Sequence, residues 1–162
     1  MKNDVKTRIR QIRISDASDI KKYCFKVANL DEIKKDIAMD LKKIKSGSLG
    51  RFVLEIDKKV VGVISVKRRS SPVQQHLADI EGLVICEEHQ GKGHGTSLIK
   101  ECFSWAKKNK IERLLITVRN KTKAQRVYEH FGFKKYGQLK QGIKAPWEKR
   151  TFDEVFYYKD VK

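Results

Sequence analysis

Apolar residues recur along the chain with two periods, and each period predicts a different kind of element. Four stretches carry apolar positions three or four residues apart, which is typical of helices with one buried face. These helices are expected to begin after Ser15 or Asp16, at Asp31, near His94 and at Thr122. Seven other stretches are short, apolar and bounded by turn residues, and we expect them to form strands at residues 8–14, 52–56, 60–66, 77–86, 113–118, 133–139 and 152–158.

The alternation of these elements indicates an α/β layer fold. The buried faces of the first three helices are expected to be Ala17, Ile20, Cys24 and Val27; then Ile33, Ile37, Leu41 and Ile44; then Leu98, Ile99, Cys102 and Ala106. A loop is predicted over residues 140–151, which contain Gly142 and Pro146. Since the 162 residues show no repeat and no linker, we expect a single domain over residues 1–162.

The stretch richest in chemical information is Gln90-Gly91-Lys92-Gly93-His94-Gly95-Thr96, between the strand that contains Leu83-Val84-Ile85 and the third helix. Glycines expose backbone N–H groups, and a helix start has unpaired donors and a partial positive charge. This combination predicts a site for a phosphate or a pyrophosphate. Thr96 stands where the dinucleotide fingerprint needs a small residue, and the chain has no P-loop string.

A second motif lies downstream. Asn120 ends a predicted strand, Ala124 and Tyr128 are four residues apart on the next helix, and Gly132-Phe133 opens the following strand. The Q-x-x-G-x-G loop and this motif, in this order, resemble the two signatures of the GCN5-related N-acetyltransferase (GNAT) superfamily. The resemblance implies a mixed, twisted central sheet of about seven strands with about four helices, splayed after the fourth strand.

The resemblance also implies acetyl-CoA as co-substrate and assigns the residues that bind it. Backbone amides of Lys92 to Thr96 would hold the pyrophosphate, and the backbone of the preceding strand would pair with the pantetheine amides. Asn120 would reach the cofactor through its side chain, unless it only forms an Asx turn. The complete predicted set is Leu83, Val84, Ile85, Gln90, Gly91, Lys92, Gly93, His94, Gly95, Thr96 and Asn120.

Three side chains are candidates for proton transfer. The resemblance makes Tyr128 the acid that protonates the departing thiolate, and its reference pKa of about 10 keeps the phenol protonated at neutral pH. Asp79 and Glu81 project from one face of a strand. We expect Glu81 to be the base and Asp79 to be the second choice, although either could instead bind the acceptor's ammonium group. The alternatives are a packed core tyrosine and two ordinary surface carboxylates.

Cys86, with His89 three residues on, raises the alternative of a covalent route. Family precedent favours direct transfer, and Cys86 reads as an apolar residue at a strand end. We therefore expect the acetyl group to pass straight to the acceptor.

Composition bears on whether the chain binds a metal, spans a membrane or binds a polyanion. The three cysteines and four histidines lack metal-ligand spacing, so we expect free thiols in a reducing cytoplasm and no metal. No segment is long and apolar enough to predict a membrane span. The net charge of +17 would suit nucleic acid, a ribosome or anionic CoA, but the lysines are scattered, which favours an ordinary solvated surface.

The sequence says least about the acceptor. We expect transfer to a primary amine of a small molecule. The resemblance implies an acceptor pocket formed by the first two helices and residues 70–75 and 140–151, with Arg68, Arg69 and Trp147 at its border. Trp147 could stack on the substrate, close the site, anchor the loop or form a homodimer contact. Alternatives are a protein, peptide or aminoacyl-tRNA amine, or a CoA-binding, nucleic-acid-associated regulatory module without catalysis.

Overall fold

The computed structural model describes residues 5–162. It contains seven strands: β1 (Thr7–Gln11), β2 (Leu49–Ile56), β3 (Lys59–Arg68), β4 (Leu77–Ile85), β5 (Arg113–Arg119), β6 (Lys134–Lys144) and β7 (Thr151–Asp160). The helices are α1 (Ala17–Asp19), which continues as a π-helical turn over Ile20–Cys24, α2 (Leu30–Lys45), α3 (His94–Lys108) and α4 (Lys123–Phe131). Short 3₁₀ turns lie at Ile14–Asp16, Pro72–Gln74 and Glu87–His89.

The strands form one mixed sheet in the order β1-β2-β3-β4-β5-β7-β6. All neighbours are antiparallel except β4 and β5, which are parallel and pair over Leu77–Ile80 and Arg113–Ile116. Beyond Ile80, residues 81–85 of β4 have no strand partner on the β5 side among residues 5–162. The sheet is therefore open between β4 and β5, which confirms the predicted splayed, mixed sheet of seven strands.

A β-bulge in β4 lies at the start of this opening. Glu81 is opposite Ser65 and Val84 is opposite Val63, so β4 has one extra residue between these two pairs. Gly82, inside the bulge, has a φ of +63°, a conformation that costs a side-chain-bearing residue about 1–2 kcal/mol. Because a bulge bends its strand and increases the local twist, it helps β4 to turn away from β5.

Two buried clusters cover the two faces of the sheet. The main cluster packs α3 and α4 on one face, and includes Leu54, Ile64, Ile80, Leu98, Ile99, Cys102, Leu114 and Tyr128. The smaller cluster packs α1 and α2 on the other face, and includes Ala17, Ile20, Ile33, Ile37, Val53, Val60 and Val63. The bulge decides where the end of β4 points, because Leu83 and Ile85 pack on the main cluster and Val84 packs on the smaller one.

Several element boundaries differ from the sequence prediction, and three of these differences have a clear structural cause. β1 ends at Gln11 instead of residue 14, because Asp16 accepts hydrogen bonds from the Arg10 guanidinium and the Arg13 N–H and bends the chain. Val27 is fully exposed instead of buried, because the helix ends at Cys24. The predicted loop over residues 140–151 is wrong in its first part, because β6 continues to residue 144 through an irregular register.

None of the helices described in residues 5–162 has the length and apolar character needed to cross a membrane.

Candidate active site

A cleft of about 450 Å³ lies over the glycine-rich loop at the start of α3. Leu83 and Ile85 of β4 form its apolar wall, and Ala124 and Val127 of α4 face them. The loop contributes Gln90, Gly91, Gly93, His94, Gly95 and Thr96, and the remaining lining residues are His89 and Lys123. The structure thus brings together the strand end and loop that the sequence predicted, and adds the first turns of α4.

The loop has the shape of an open anion cradle. Gly91 and Gly93 have φ values of +73° and +81°, and a Cβ added at either would meet no heavy atom within 4 Å. The first backbone hydrogen bond of α3 runs from Ser97 N–H to the Gly93 carbonyl at 3.1 Å. The N–H groups of His94 to Thr96 precede that bond and are the orphan donors of the helix. Space and donors together fit a phosphate group.

A second cleft of about 490 Å³ occupies the opening between β4 and β5. It is lined by Asp79–Leu83 of β4, Ile116–Arg119 of β5, and Thr122, Ala124 and Tyr128. Leu83 and Ala124 line both clefts, so the two clefts meet there. The site is therefore one continuous groove that runs from the glycine loop to the splay point.

Tyr128 borders the splay cleft from the α4 side. Its side chain is about 1% exposed, and its ring packs edge-on against Phe133 at 5.4 Å between centroids. Its hydroxyl is buried and has no hydrogen-bond partner within the described part of the chain. Burial, with a smaller contribution from Cys102, raises the pKa of the phenol above its ordinary value. A capped core tyrosine would show a partner, so this hydroxyl remains available to a bound molecule.

The two acidic candidates of β4 have different surroundings. Both Asp79 oxygens accept hydrogen bonds from Arg69, at 2.8 Å from Nε and 2.9 Å from Nη2. Glu81 is exposed, and within residues 5–162 its side chain forms no ion pair and no hydrogen bond. Asp79 pairs with Lys67 and Glu81 pairs with Ser65, and these β3 residues lie on the sheet face that α1 and α2 cover. One carboxylate at the splay is therefore neutralised by an arginine, and the other is free.

Other members of the predicted cofactor set are placed as follows. The Gln90 side chain donates to the Ile85 carbonyl at 2.8 Å and so ties the loop to the end of β4. Lys92 turns away from the cleft and donates to the Glu88 carbonyl. The Val84 side chain packs into the smaller core cluster, so this residue can contribute only its backbone to the groove.

Asn120 does not line either cleft. Its side-chain oxygen accepts a hydrogen bond from Asp153 N–H, and its own N–H donates to the Asp153 carbonyl, both at 3.0 Å. These bonds join β5 to β7. The cap of α4 is Thr122, whose Oγ1 accepts from Gln125 N–H, so the Asx turn considered for Asn120 is not the cap.

Cys86 is a buried residue of the core. Its side chain is about 8% exposed and belongs to the main core cluster, while its N–H donates to the Val61 carbonyl at 2.8 Å. His89, the base considered for a covalent route, lines the glycine cleft instead, with its ring 6.5 Å from that of His94.

The three residues predicted at the border of the acceptor pocket, Arg68, Arg69 and Trp147, line neither cleft. Arg119 stacks on Phe152 at 3.8 Å and pairs with Glu148, while Trp147 is about 82% exposed. Arg68 does not border the groove, because its guanidinium donates to the Gln75 and Asn109 carbonyls.

Sequence reasoning missed His89 and Lys123 as lining residues and the ion pair of Arg69 with Asp79. Lys123 lies at the first helical position after the Thr122 cap, so the start of α4 was the available signal. The ion pair between Arg69, which follows β3, and Asp79 of β4 had no signal in one sequence, because it depends on the register of the two strands.

Comparison with known proteins agrees with this geometry. The model of the acetyltransferase (GNAT) family matches residues 13–133. The uncharacterized N-acetyltransferase YobR of Bacillus subtilis (strain 168) is 38% identical over 55 residues, which span 33% of this chain and 22% of that protein.

Two solved structures share the fold over nearly their whole lengths. An N-acetyltransferase from Staphylococcus aureus Mu50 superposes with a TM-score of 0.82 at 22% identity, covering 97% of this chain and 99% of that one. The structure of yncA from Salmonella typhimurium, with its cofactor acetyl-CoA, superposes with a TM-score of 0.80 at 18% identity, covering 96% and 94%.

Proposed function

This chain belongs to the acetyltransferase (GNAT) family, and we propose that it transfers the acetyl group of acetyl-CoA by direct attack of a primary amine of a small molecule. It is an acetyl-CoA-dependent N-acetyltransferase. The proposal concerns the acceptor, the route of transfer and the residues that carry it.

The continuous groove carries the proposal. Its glycine end offers an anion cradle, its middle offers the unpaired edge of β4 to an extended chain with amide groups, and its splay end brings Glu81 and Tyr128 to one cleft. A long molecule with phosphates at one end and a thioester at the other matches this order. Residues 81–85 would bind its amides as a strand does, by backbone hydrogen bonds.

Glu81 would act on the acceptor. Most alkylamines are protonated at pH 7, and only the neutral amine attacks a thioester carbon. Since Asp79 is held by Arg69, Glu81 is the free carboxylate on this part of β4 that can bind the ammonium group and accept its proton, directly or through a water. This arrangement makes Glu81 the base and leaves Asp79 a secondary, charge-positioning role.

Tyr128 would act on the leaving group. When the tetrahedral intermediate collapses, the carbon–sulfur bond breaks and the electron pair goes to the thiolate. The Tyr128 hydroxyl is buried, protonated and without a protein partner, so it can donate its proton to that sulfur. Because both proton transfers are assigned to residues of the splay cleft, no covalent enzyme intermediate is needed.

A panel of amines, with free thiol release from acetyl-CoA as the signal, tests the proposal. We expect release with small primary amines, and none with their tertiary analogues, which cannot form the amide. The protein's own three cysteines also react as thiols, in proportion to the enzyme concentration. The enzyme concentration must therefore be far below the substrate concentration. Turnover with peptide or aminoacyl-tRNA amines alone would assign a macromolecular acceptor. Stabilisation by acetyl-CoA without turnover of any amine would indicate a binding module.

A further inference from the structure

Two histidines face each other at the phosphate end of the groove. His89 ends the 3₁₀ turn after β4, and His94 is the first residue of α3. Their rings are 6.5 Å apart in an edge-to-face arrangement, both are half-buried, and both line the glycine cleft. Gly91 and Gly93, the open part of the cradle, lie between them in the chain. An anion held by the loop amides would therefore lie beside both imidazoles.

The charged groups around this pair come from three elements. Lys92 lies in the loop, Lys123 lines the cleft from the start of α4, and Glu87 and Glu88 belong to the 3₁₀ turn that carries His89. The β4 wall of the cleft is apolar at Leu83 and Ile85, so it adds no charge. Lys92 Nζ donates a hydrogen bond to the Glu88 carbonyl, so it points to the 3₁₀ turn and not into the cleft. The imidazoles and Lys123 are thus the ionisable groups of the cleft itself.

The surroundings of His94 in the free protein disfavour the charged form of its ring. Burial, followed by the neighbouring His89 and Lys92, lowers the pKa of His94 below its ordinary value of about 6.5. A phosphate beside the ring has the opposite effect, because a nearby negative charge favours the imidazolium form. Each ring nitrogen then becomes a donor, which an anion can use. A phosphate bound beside His94 would therefore favour uptake of a proton by its ring.

We propose that His89 and His94 are phosphate ligands of the cofactor that become protonated on binding, so that acetyl-CoA enters together with at least one proton. This inference rests on the glycine loop being the phosphate site, as proposed above. The sign follows from linkage: a group that binds a proton only in the complex strengthens binding as pH falls. If binding raises an imidazole pKa by about one unit, the affinity gains about 10-fold across the transition.

Calorimetry can count the protons directly. The heat of binding is measured at pH 7 in two buffers of different ionisation enthalpy, and the difference gives the protons taken up. Dephospho-CoA is the better probe, because its pyrophosphate does not titrate here, whereas the 3′-phosphate of CoA has a second pKa of about 6. We expect uptake in the wild type, less in His89→Gln and in His94→Gln, and none in the double variant. His130→Gln, at an exposed position of α4 outside the cleft, should match the wild type.

Each outcome decides the question. Binding without proton uptake by the wild type would overturn this inference and leave the glycine loop as the cofactor site. Uptake that persists in the double variant would also overturn it, because the proton would then go elsewhere. If the wild type binds neither dephospho-CoA nor acetyl-CoA, the proposed cofactor site is wrong, and so is this inference. Affinity measured at pH 6, 7 and 8 should agree with the calorimetry, with a slope that the double variant loses.

Discussion

The two ends of the groove are built from different parts of the polypeptide. At the end that we propose for the cofactor, the groups expected to bind phosphate and amides belong mainly to the backbone: glycine-loop amides at a helix start and the unpaired edge of β4. The splay end, where we propose that the acceptor binds, is lined by side chains of β4, β5 and α4, among them Glu81, Arg119 and Tyr128. A backbone site needs particular conformations and small residues, so it leaves a motif in the sequence. A side-chain site can be formed by many combinations, so it does not.

The same contrast appears in how the two ends are held. The glycine loop is tied to β4 by the bond from Gln90 to the Ile85 carbonyl, and the helix behind it is anchored in the main core. The acceptor end depends on ion pairs with half-exposed partners, such as Arg119 with Glu148. Exposed ion pairs contribute about 0–1 kcal/mol each. Substitutions at the cofactor end should therefore have large, all-or-none effects, and those at the acceptor end should change rates and preferences.

The largest effect is expected from Gly93→Glu. The new side chain would enter the open space in front of the loop and place a negative charge where phosphate binds. At 100 times its dissociation constant a ligand stabilises its protein by about 2.7 kcal/mol, so thermal unfolding with and without acetyl-CoA reports binding. We expect Gly93→Glu to lose this stabilisation entirely. Ser104→Glu, with the same charge change on an exposed position of α3, should keep it.

Tyr128→Phe should come next, with an effect on rate alone. Loss of the proton donor should lower kcat by about 10²–10⁴-fold, while the dissociation constant of acetyl-CoA stays near that of the wild type. The hydroxyl is buried without a partner, so its removal should leave the melting temperature unchanged or higher. A purely packing role would instead leave kcat intact. Tyr136→Phe, at an exposed tyrosine on β6, is the matched control.

Glu81→Gln should have an intermediate effect that depends on pH. The amide keeps size and hydrogen bonding but cannot accept a proton, so activity near pH 7 should fall by about 10²-fold and partly recover at high pH, where free amine is abundant. Asp79→Asn should lose less, because Arg69 already occupies that carboxylate. If the pH–rate profile of Glu81→Gln overlays that of wild type, Glu81 is not the base. A larger loss in Asp79→Asn would reverse the two roles.

The contrast between backbone and side-chain sites also explains which parts of the fold and site could be predicted from the sequence. The period-two and helical patterns predicted all seven strands and the main helices, and the two motifs predicted the family and the splay. Irregular backbone was missed: the Gly82 bulge, the π-helical end of α1 that exposes Val27, and the distorted start of the predicted 140–151 loop. Each is a choice between nearly equal local conformations, decided by tertiary packing and register that one sequence does not display.

The smallest effect, and the most informative about the acceptor end, is expected from Arg69→Gln. The Arg69–Asp79 pair leaves Glu81 as the free carboxylate of β4 in the splay cleft, which suits an acceptor with a single ammonium group. Both partners are about 31% exposed, so the loss of the pair should change the free energy of unfolding by at most about 1 kcal/mol.

Without Arg69, Asp79 would be free to bind a second ammonium group, roughly 7 Å from the first along the strand. An exposed pair of this kind is worth about 0.2–1 kcal/mol, so kcat/KM for an alkyl diamine should rise by about 1.4–5-fold relative to the monoamine of equal length. Arg113→Gln removes a more exposed ion pair with Asp160, which does not line the splay cleft, and should not change this ratio. An unchanged ratio in Arg69→Gln would mean that Asp79 does not face the acceptor.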